Sequence, residues 1–187
     1  MLSEEIRKRF EALYNNSPLL VRSPGRVNLI GEHTDYNEGF VLPAAIDKEI
    51  VCALAPNYTR NARITAHDLD ESVEFDVNDL HKSEKGWPDY IAGVIDQFQK
   101  LGRPVEGFDC VFGGNIPLGA GLSSSAAMEC AFAYALNILN DHHLPRMDMI
   151  KLAQRAENDF VGVQCGIMDQ FASVQGKTDR VLRLDCR

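Results

Sequence analysis

Four stretches of this 187-residue chain concentrate the residue types that chemistry needs. The longest, Gly113-Gly114-Asn115-Ile116-Pro117-Leu118-Gly119-Ala120-Gly121-Leu122-Ser123-Ser124-Ser125-Ala126-Ala127, sets small residues ahead of an apolar helical pattern. Glycines let the backbone approach a ligand closely, and the unpaired amides of a helix's first turn attract an anion, aided by the helix dipole. The hydroxyls of Ser123, Ser124 and Ser125 add donors, or a metal ligand beside phosphates. No Gly-Lys-Ser/Thr follows, so this is not a Walker A loop, and the spacing does not fit a dinucleotide fingerprint. A capped helix after an ordinary turn is the plainer alternative.

The second stretch centres on Glu157, with Ile150, Ala153, Phe160 and Val161 at helical spacing around it. That puts a carboxylate on or beside an apolar face, where an unpaired charge is costly. Either a basic residue such as Arg155 or a bound cation should compensate it. In the third, Gly166-Ile167-Met168-Asp169-Gln170-Phe171, Asp169 reads first as a helix-start residue that complements the dipole. The fourth, Arg26 to Asn37, packs a cation, an imidazole, carboxylates and amides into twelve residues. Such density suits a polyhydroxylated ligand, because a site that pairs each hydroxyl rejects isomers by leaving buried groups unpaired. A solvated hairpin loop and a His-x-Asp metal site are the competing readings.

The elements that must hold these residues follow from periodicity and punctuation. Residues 2 to about 15 read as a helix with Ile6, Phe10 and Leu13 on one face, before a turn at Asn15 to Pro18. Strands are expected at 26–30, 39–42, 49–54, 62–66 and 73–77, with a polar loop from Gly31 to Glu38. A helix runs from Pro88 to Leu101, closed by Gly102, and a strand at 107–112 leads into the glycine-rich stretch. The helix from about Ser124 to Asn140 is apolar on nearly every side and therefore buried. Helices near 148–160 and 168–174 and a closing strand at 180–185 complete a strand-rich first half and a helix-rich second, which predicts an α+β domain with helices packed on one sheet.

Composition narrows the function classes. A formal charge of −8 argues against nucleic-acid binding, which needs clustered Lys and Arg. No apolar run reaches the ~20 residues of a membrane span, and the charged, amphipathic start is not a signal peptide. The five cysteines are odd in number and widely spaced, with no Cys-x-x-Cys pair. They read as reduced thiols of a cytoplasmic protein, not as a disulfide scaffold or zinc ribbon.

Two stretches carry a resemblance. Pro117 to Ala127 resembles the phosphate-binding motif of the GHMP kinases, Pro-x-x-x-Gly-Leu-x-Ser-Ser-x-Ala, and Gly25-Arg26-Val27-Asn28-Leu29-Ile30-Gly31-Glu32-His33-Thr34-Asp35-Tyr36 resembles the galactokinase signature. The resemblance implies the amino-terminal GHMP domain, of the ribosomal protein S5 domain 2-like fold, and transfer of the ATP γ-phosphoryl group to the anomeric hydroxyl of galactose. It implies that the loop, including Pro117, Gly119, Ala120, Gly121, Leu122 and Ser123 to Ser125, wraps the triphosphate, and that Mg2+ is held by Ser125 and Glu157, twelve residues before Asp169. It implies Asp169 as the candidate base, with Arg26 beside it, and Glu32, His33, Asp35 and Gly166 on the sugar. Trp87, by composition a core residue, would stand near the adenine. The resemblance further implies a second GHMP domain, carrying another glycine-rich motif and a sugar-site tyrosine, against which residues 1–187 would pack; without it the chain would have little or no kinase activity. A non-catalytic galactose and ATP sensor, and a kinase for N-acetylgalactosamine or a related sugar, share the signature.

Overall fold

The computed structural model describes residues 1–117 and 119–187; Leu118, within the phosphate-loop motif, lies outside the described residues. Its centre is a five-stranded mixed sheet of β1 (Leu19–Asn28), β3 (Pro43–Pro56), β6 (Phe108–Gly114), β4 (Asn61–Ala66) and β5 (Glu71–Asp76), in that spatial order. Among the described residues only the β4–β6 pair is parallel. A two-residue β2 (Phe40–Val41) pairs with an equally short β7 (Leu184–Asp185) beside the sheet.

The continuous apolar run Ile50–Ala55 has no amphipathic alternation because β3 is covered on both faces. Ile50, Cys52 and Leu54 join the core formed by α2 (Trp87–Lys100) and α3 (Ser124–Leu139), while Val51, Ala53 and Ala55 meet Ile6 and Phe10 of α1 (Leu2–Tyr14). Successive side chains of a strand point to opposite faces, so one sequence stretch serves both layers. The four later helices share one face, as the α+β reading expects, and α1 additionally covers part of the other. Truncating Phe132, fully buried on α3, would cost about 3–5 kcal/mol.

α4 (Arg146–Arg155) runs into a π-helical turn at Ala156–Val161, where the expected helix is continuous. The Gly162 N–H donates to the Glu157 carbonyl five residues back, and Gly162 ends the turn at a φ of 90° that suits glycine. α5 (Met168–Gln175) then docks on β1, with the Ser173 hydroxyl donating to the Pro24 carbonyl at 2.8 Å.

Three strands differ clearly from their expected extents, and β3 starts at Pro43, six residues before the expected Glu49. β1 begins seven residues earlier than Arg26, and its regular ladder stops at Asn28, opposite Pro43, which has no N–H to give; past it the Leu29 N–H donates to the Leu42 carbonyl and the Leu42 N–H to the Ile30 carbonyl outside the regular register. Leu29 and Ile30 are therefore exposed loop residues rather than strand. The expected strand at 180–185 shrinks to Leu184–Asp185, since its only regular partner, β2, is two residues long. All five cysteines are free, and among the described residues no helix is long and apolar enough to cross a membrane.

Candidate active site

Asp169 and Arg26, 143 residues apart in sequence, meet where α5 starts beside β1. The Arg26 Nε–H donates to Asp169 Oδ1 at 2.7 Å and an Nη2 proton reaches the same oxygen at 2.6 Å. Asp169 is the second residue of α5, where the helix dipole favours a carboxylate. Local irregularity in β1 accompanies this placement: its register against β3 shifts between Pro24 and Arg26. At Gly25 a Cβ would fall 2.6 Å from the Leu122 carbonyl, so glycine lets β1 lie directly against the phosphate loop. Arg26 bridges both sides, donating from Nη1 to the Gly121 carbonyl at 2.7 Å and from its backbone N–H to the Leu122 carbonyl at 3.1 Å.

Ser123 precedes α3 with a left-handed φ of 61°, and its hydroxyl makes no capping bond to the helix. It donates instead to Asp169 Oδ2 at 2.5 Å. Both carboxylate oxygens of Asp169 are thereby held, and the first-turn amides of α3 are left to other acceptors. Gly119 and Gly121 both adopt a φ of 69°, a conformation that glycine takes without a Cβ clash. Pro117, Gly119, Ala120, Gly121, Leu122 and the three serines line one small cleft with Arg26 and Asp169.

A second cleft, of 360 Å³, adjoins the first through Ser124 and Ser125, which line both. Its walls are Trp87, Tyr90, Phe112, Ile116, Met128, Ile50 and Leu69, with Asp68 and Gly114 at its edge. Trp87 is half-buried against Phe112, with ring centroids 5.4 Å apart, and its indole N–H donates to Glu71 Oε2 at 3.0 Å. It is thus both a packed aromatic and a cleft wall. That indole bond, followed by Lys85, lowers the Glu71 pKa.

Glu157 lies behind this surface. It is 6% exposed and is paired with no basic residue among the described residues; Arg155, the structural partner considered above, is exposed and makes no ion pair with it. Its Oε2 accepts from Gln170 Nε2 at 2.9 Å and from the Cys165 thiol at 3.3 Å. The same Gln170 nitrogen reaches Glu129 Oε2 at 3.3 Å. Burial, then the neighbouring Glu157 charge, pushes the Glu129 carboxyl well above its ordinary range. No hydrogen bond joins Ser125 to Glu157 among the described residues. Sequence reasoning singles out neither Glu129 nor Gln170 as a site residue, although a lone acid inside the apolar helix α3 is a visible signal.

No group of three or more His, Cys, Asp or Glu side chains able to hold a metal ion is present among the described residues. A cation here needs ligands from outside the protein. Magnesium beside nucleotide phosphates is bound that way, through one or two protein oxygens, phosphates and waters, and the donors Glu157 and Ser125 fit it.

The loop between β1 and β2 is held mostly by itself. The Thr34 hydroxyl contacts the carbonyls of Gly31 and Phe40, each at 2.8 Å, and the Asn37 amide donates to the His33 carbonyl at 2.7 Å. Glu32 and His33 are exposed; Glu32 accepts from Asn28 Nδ2 at 3.1 Å, and His33 Nδ1 bonds the Tyr36 hydroxyl. Asp35 is half-buried and packs on Gly166, where a Cβ would collide with the Asp35 carboxylate. The loop thus reaches the Asp169 segment through Asp35 and Gly166.

Two family models divide the chain: the galactokinase galactose-binding signature matches residues 8–56, and the GHMP kinases N terminal domain matches residues 89–177. Fold and cleft together define the amino-terminal domain of a GHMP kinase. A galactokinase of Roseiflexus sp. (strain RS-1) is 47% identical over 184 residues, covering 98% of this chain and 47% of that protein. The crystal structure of Lactococcus lactis galactokinase complexed with galactose superposes with a TM-score of 0.90 at 34% identity, covering 96% of this chain and 48% of that one. Methanococcus jannaschii mevalonate kinase, at 20% identity and a TM-score of 0.75, shares the fold over 91% of this chain and 54% of its own. The chain is similar to the amino-terminal half of galactokinases, and it spans about half the length of these relatives.

Proposed function

We propose that this chain supplies the nucleotide- and sugar-binding half of a cytoplasmic kinase that transfers the γ-phosphoryl group of ATP to the anomeric hydroxyl of galactose. The observation that carries it is the convergence of Arg26, Asp169 and Ser123 in the cleft lined by the glycine-rich loop, which adjoins an aromatic cleft through Ser124 and Ser125. An adenine fits between the apolar walls that include Trp87, and the phosphates fit along the loop from Pro117 to Ser125. In that layout the terminal phosphate would face Asp169. Glu32, His33, Asp35 and the backbone at Gly166 would bind the sugar.

In this reading Asp169 orients the sugar hydroxyl and accepts its proton as the phosphoryl group departs. Ser123 and Arg26 hold the carboxylate in place, and Arg26 places positive charge where negative charge gathers on the transferring group. Ser125 and Glu157 would hold Mg2+, which when bound neutralises phosphate charge. The protein's share of catalysis is then positioning and electrostatics. A second GHMP domain would close the cleft from the other side.

The test is phosphoryl transfer by the full-length polypeptide to galactose, N-acetylgalactosamine and glucose, alongside calorimetric binding of galactose and Mg-ATP to residues 1–187. Preferential transfer to galactose is expected. Preferred phosphorylation of N-acetylgalactosamine would reassign the sugar, and binding of galactose and ATP without transfer would make the protein a sensor.

A further inference from the structure

The group behind Asp169 is built in a way that stability does not explain. Glu129 and Gln170 are 0% exposed and Glu157 is 6% exposed, so two carboxyl groups and an amide share one small interior space. One nitrogen serves both acids: Gln170 Nε2 lies 2.9 Å from Glu157 Oε2 and 3.3 Å from Glu129 Oε2. Glu129 Oε1 and Gln170 Oε1 are buried with no hydrogen-bond partner. Buried polar groups left unsatisfied are costly, and apolar side chains of similar size are often neutral or stabilising replacements for such clusters.

The connectivity suggests what the cost maintains. Gln170 follows Asp169 directly, and adjacent helical residues diverge by about 100°. α5 therefore presents the Asp169 carboxylate to Arg26 and Ser123 and the Gln170 amide to Glu157. Glu129 anchors the far side of that amide on α3, the helix whose first turn carries Ser124 and Ser125. The Gln170 carbonyl also lies 3.7 Å from the Cys130 thiol of α3.

We propose that Gln170 and Glu129 are positioning residues, a buried brace that fixes the Glu157 carboxylate for the nucleotide's cation and locks its place to that of Asp169. The brace rests on the reading of Glu157 as a cation ligand. Groups that hydrogen-bond a metal ligand from behind fix its orientation, and removing them costs about 10–100-fold in metal affinity.

The test replaces Gln170 by Met, which fills its volume without hydrogen bonds, in the full-length polypeptide. Mn2+ binding is measured by electron paramagnetic resonance with a non-hydrolysable ATP analogue present, next to the Mg2+ concentration for half-maximal transfer, the galactose KM and the melting temperature. Gln170→Met should weaken Mn2+ binding and raise the half-activating Mg2+ about tenfold, with galactose KM within about twofold and the melting temperature held or raised. Glu129→Leu should shift cation binding in the same direction and Glu129→Gln, which keeps an acceptor for the amide, much less; this pair decides the matter should Gln170→Met not fold. Unchanged cation affinity in Gln170→Met and Glu129→Leu, with Glu157→Gln weakened, overturns the brace and leaves the reading of Glu157 standing. Unchanged affinity in Glu157→Gln, or no Mn2+ binding by the unmodified protein, removes that reading and the brace with it.

Discussion

Around Asp169, each polar contact ties one core element to another, whereas between Gly31 and Gly39 the loop's hydrogen bonds run mostly to its own backbone. Arg26 belongs to β1, Asp169 to α5 and Ser123 to the start of α3, and their side chains lock together across 143 residues of sequence. The side chains of Arg26 and Asp169 are 14% and 25% exposed. Glu32 and His33, by contrast, stand out in solvent, and Thr34 fastens the loop to itself through Gly31 and Phe40. A rigid scaffold organises chemistry on one side, and a surface loop presents contacts on the other. Under the proposed reading, the difference teaches that this domain prebuilds the phosphoryl-transfer side of its cleft and leaves the sugar side open.

The contrast can be broken most sharply at Asp169. Asp169→Asn should lower phosphoryl transfer by the full-length polypeptide about a thousandfold while calorimetric galactose affinity stays within a fewfold, because the change removes the acceptor and not the loop. Comparable losses in binding would show that the two regions are one unit. Gly166→Ala attacks their seam, since its methyl group must displace Asp35. We expect kcat/KM for galactose to fall about a hundredfold with the KM for ATP unchanged; a change in ATP KM would carry the sugar loop's influence into the nucleotide cleft.

Smaller changes sharpen the comparison. Ser123→Ala removes one of the contacts holding Asp169 and should lower kcat about tenfold without altering galactose KM. Thr34→Val keeps side-chain volume but deletes both loop contacts; galactose KM should rise about fivefold with kcat intact. If Ser123→Ala raised galactose KM and Thr34→Val lowered kcat, the division drawn here would be reversed.

Most of the fold was legible because its signals are local. The period-3.6 stripe of Ile91, Val94, Ile95 and Phe98 and the Gly102 stop placed α2 to within one residue. The mistaken extents arose where pairing partners decide: nothing near Val27-Asn28-Leu29 announces that Pro43 lies opposite and that the regular ladder ends there. The same holds in the site. Glu157's place beside an apolar face was visible in its spacing, but its partner was not. A buried amide shared by two acids is a long-range fact, joining positions 129, 157 and 170 through three separate elements. The resemblance supplied Arg26 beside Asp169, which no periodicity could, because their contact depends on how α5 docks against β1.

The π-helical turn has one more consequence. At Gly93, six residues into α2 from Trp87, the turn packs closely: an added Cβ would lie 3.0 Å from the Ala156 carbonyl and 3.1 Å from the Phe160 Cβ, a tight contact. Trp87 and the segment carrying Glu157 thus rest on the same rod, separated along it by about 9 Å of helical rise. Under the proposed reading the domain works as a caliper: one jaw rests on the base, the other on the cation at the phosphates, and the gap is set by six residues of α2 rather than by any movable loop.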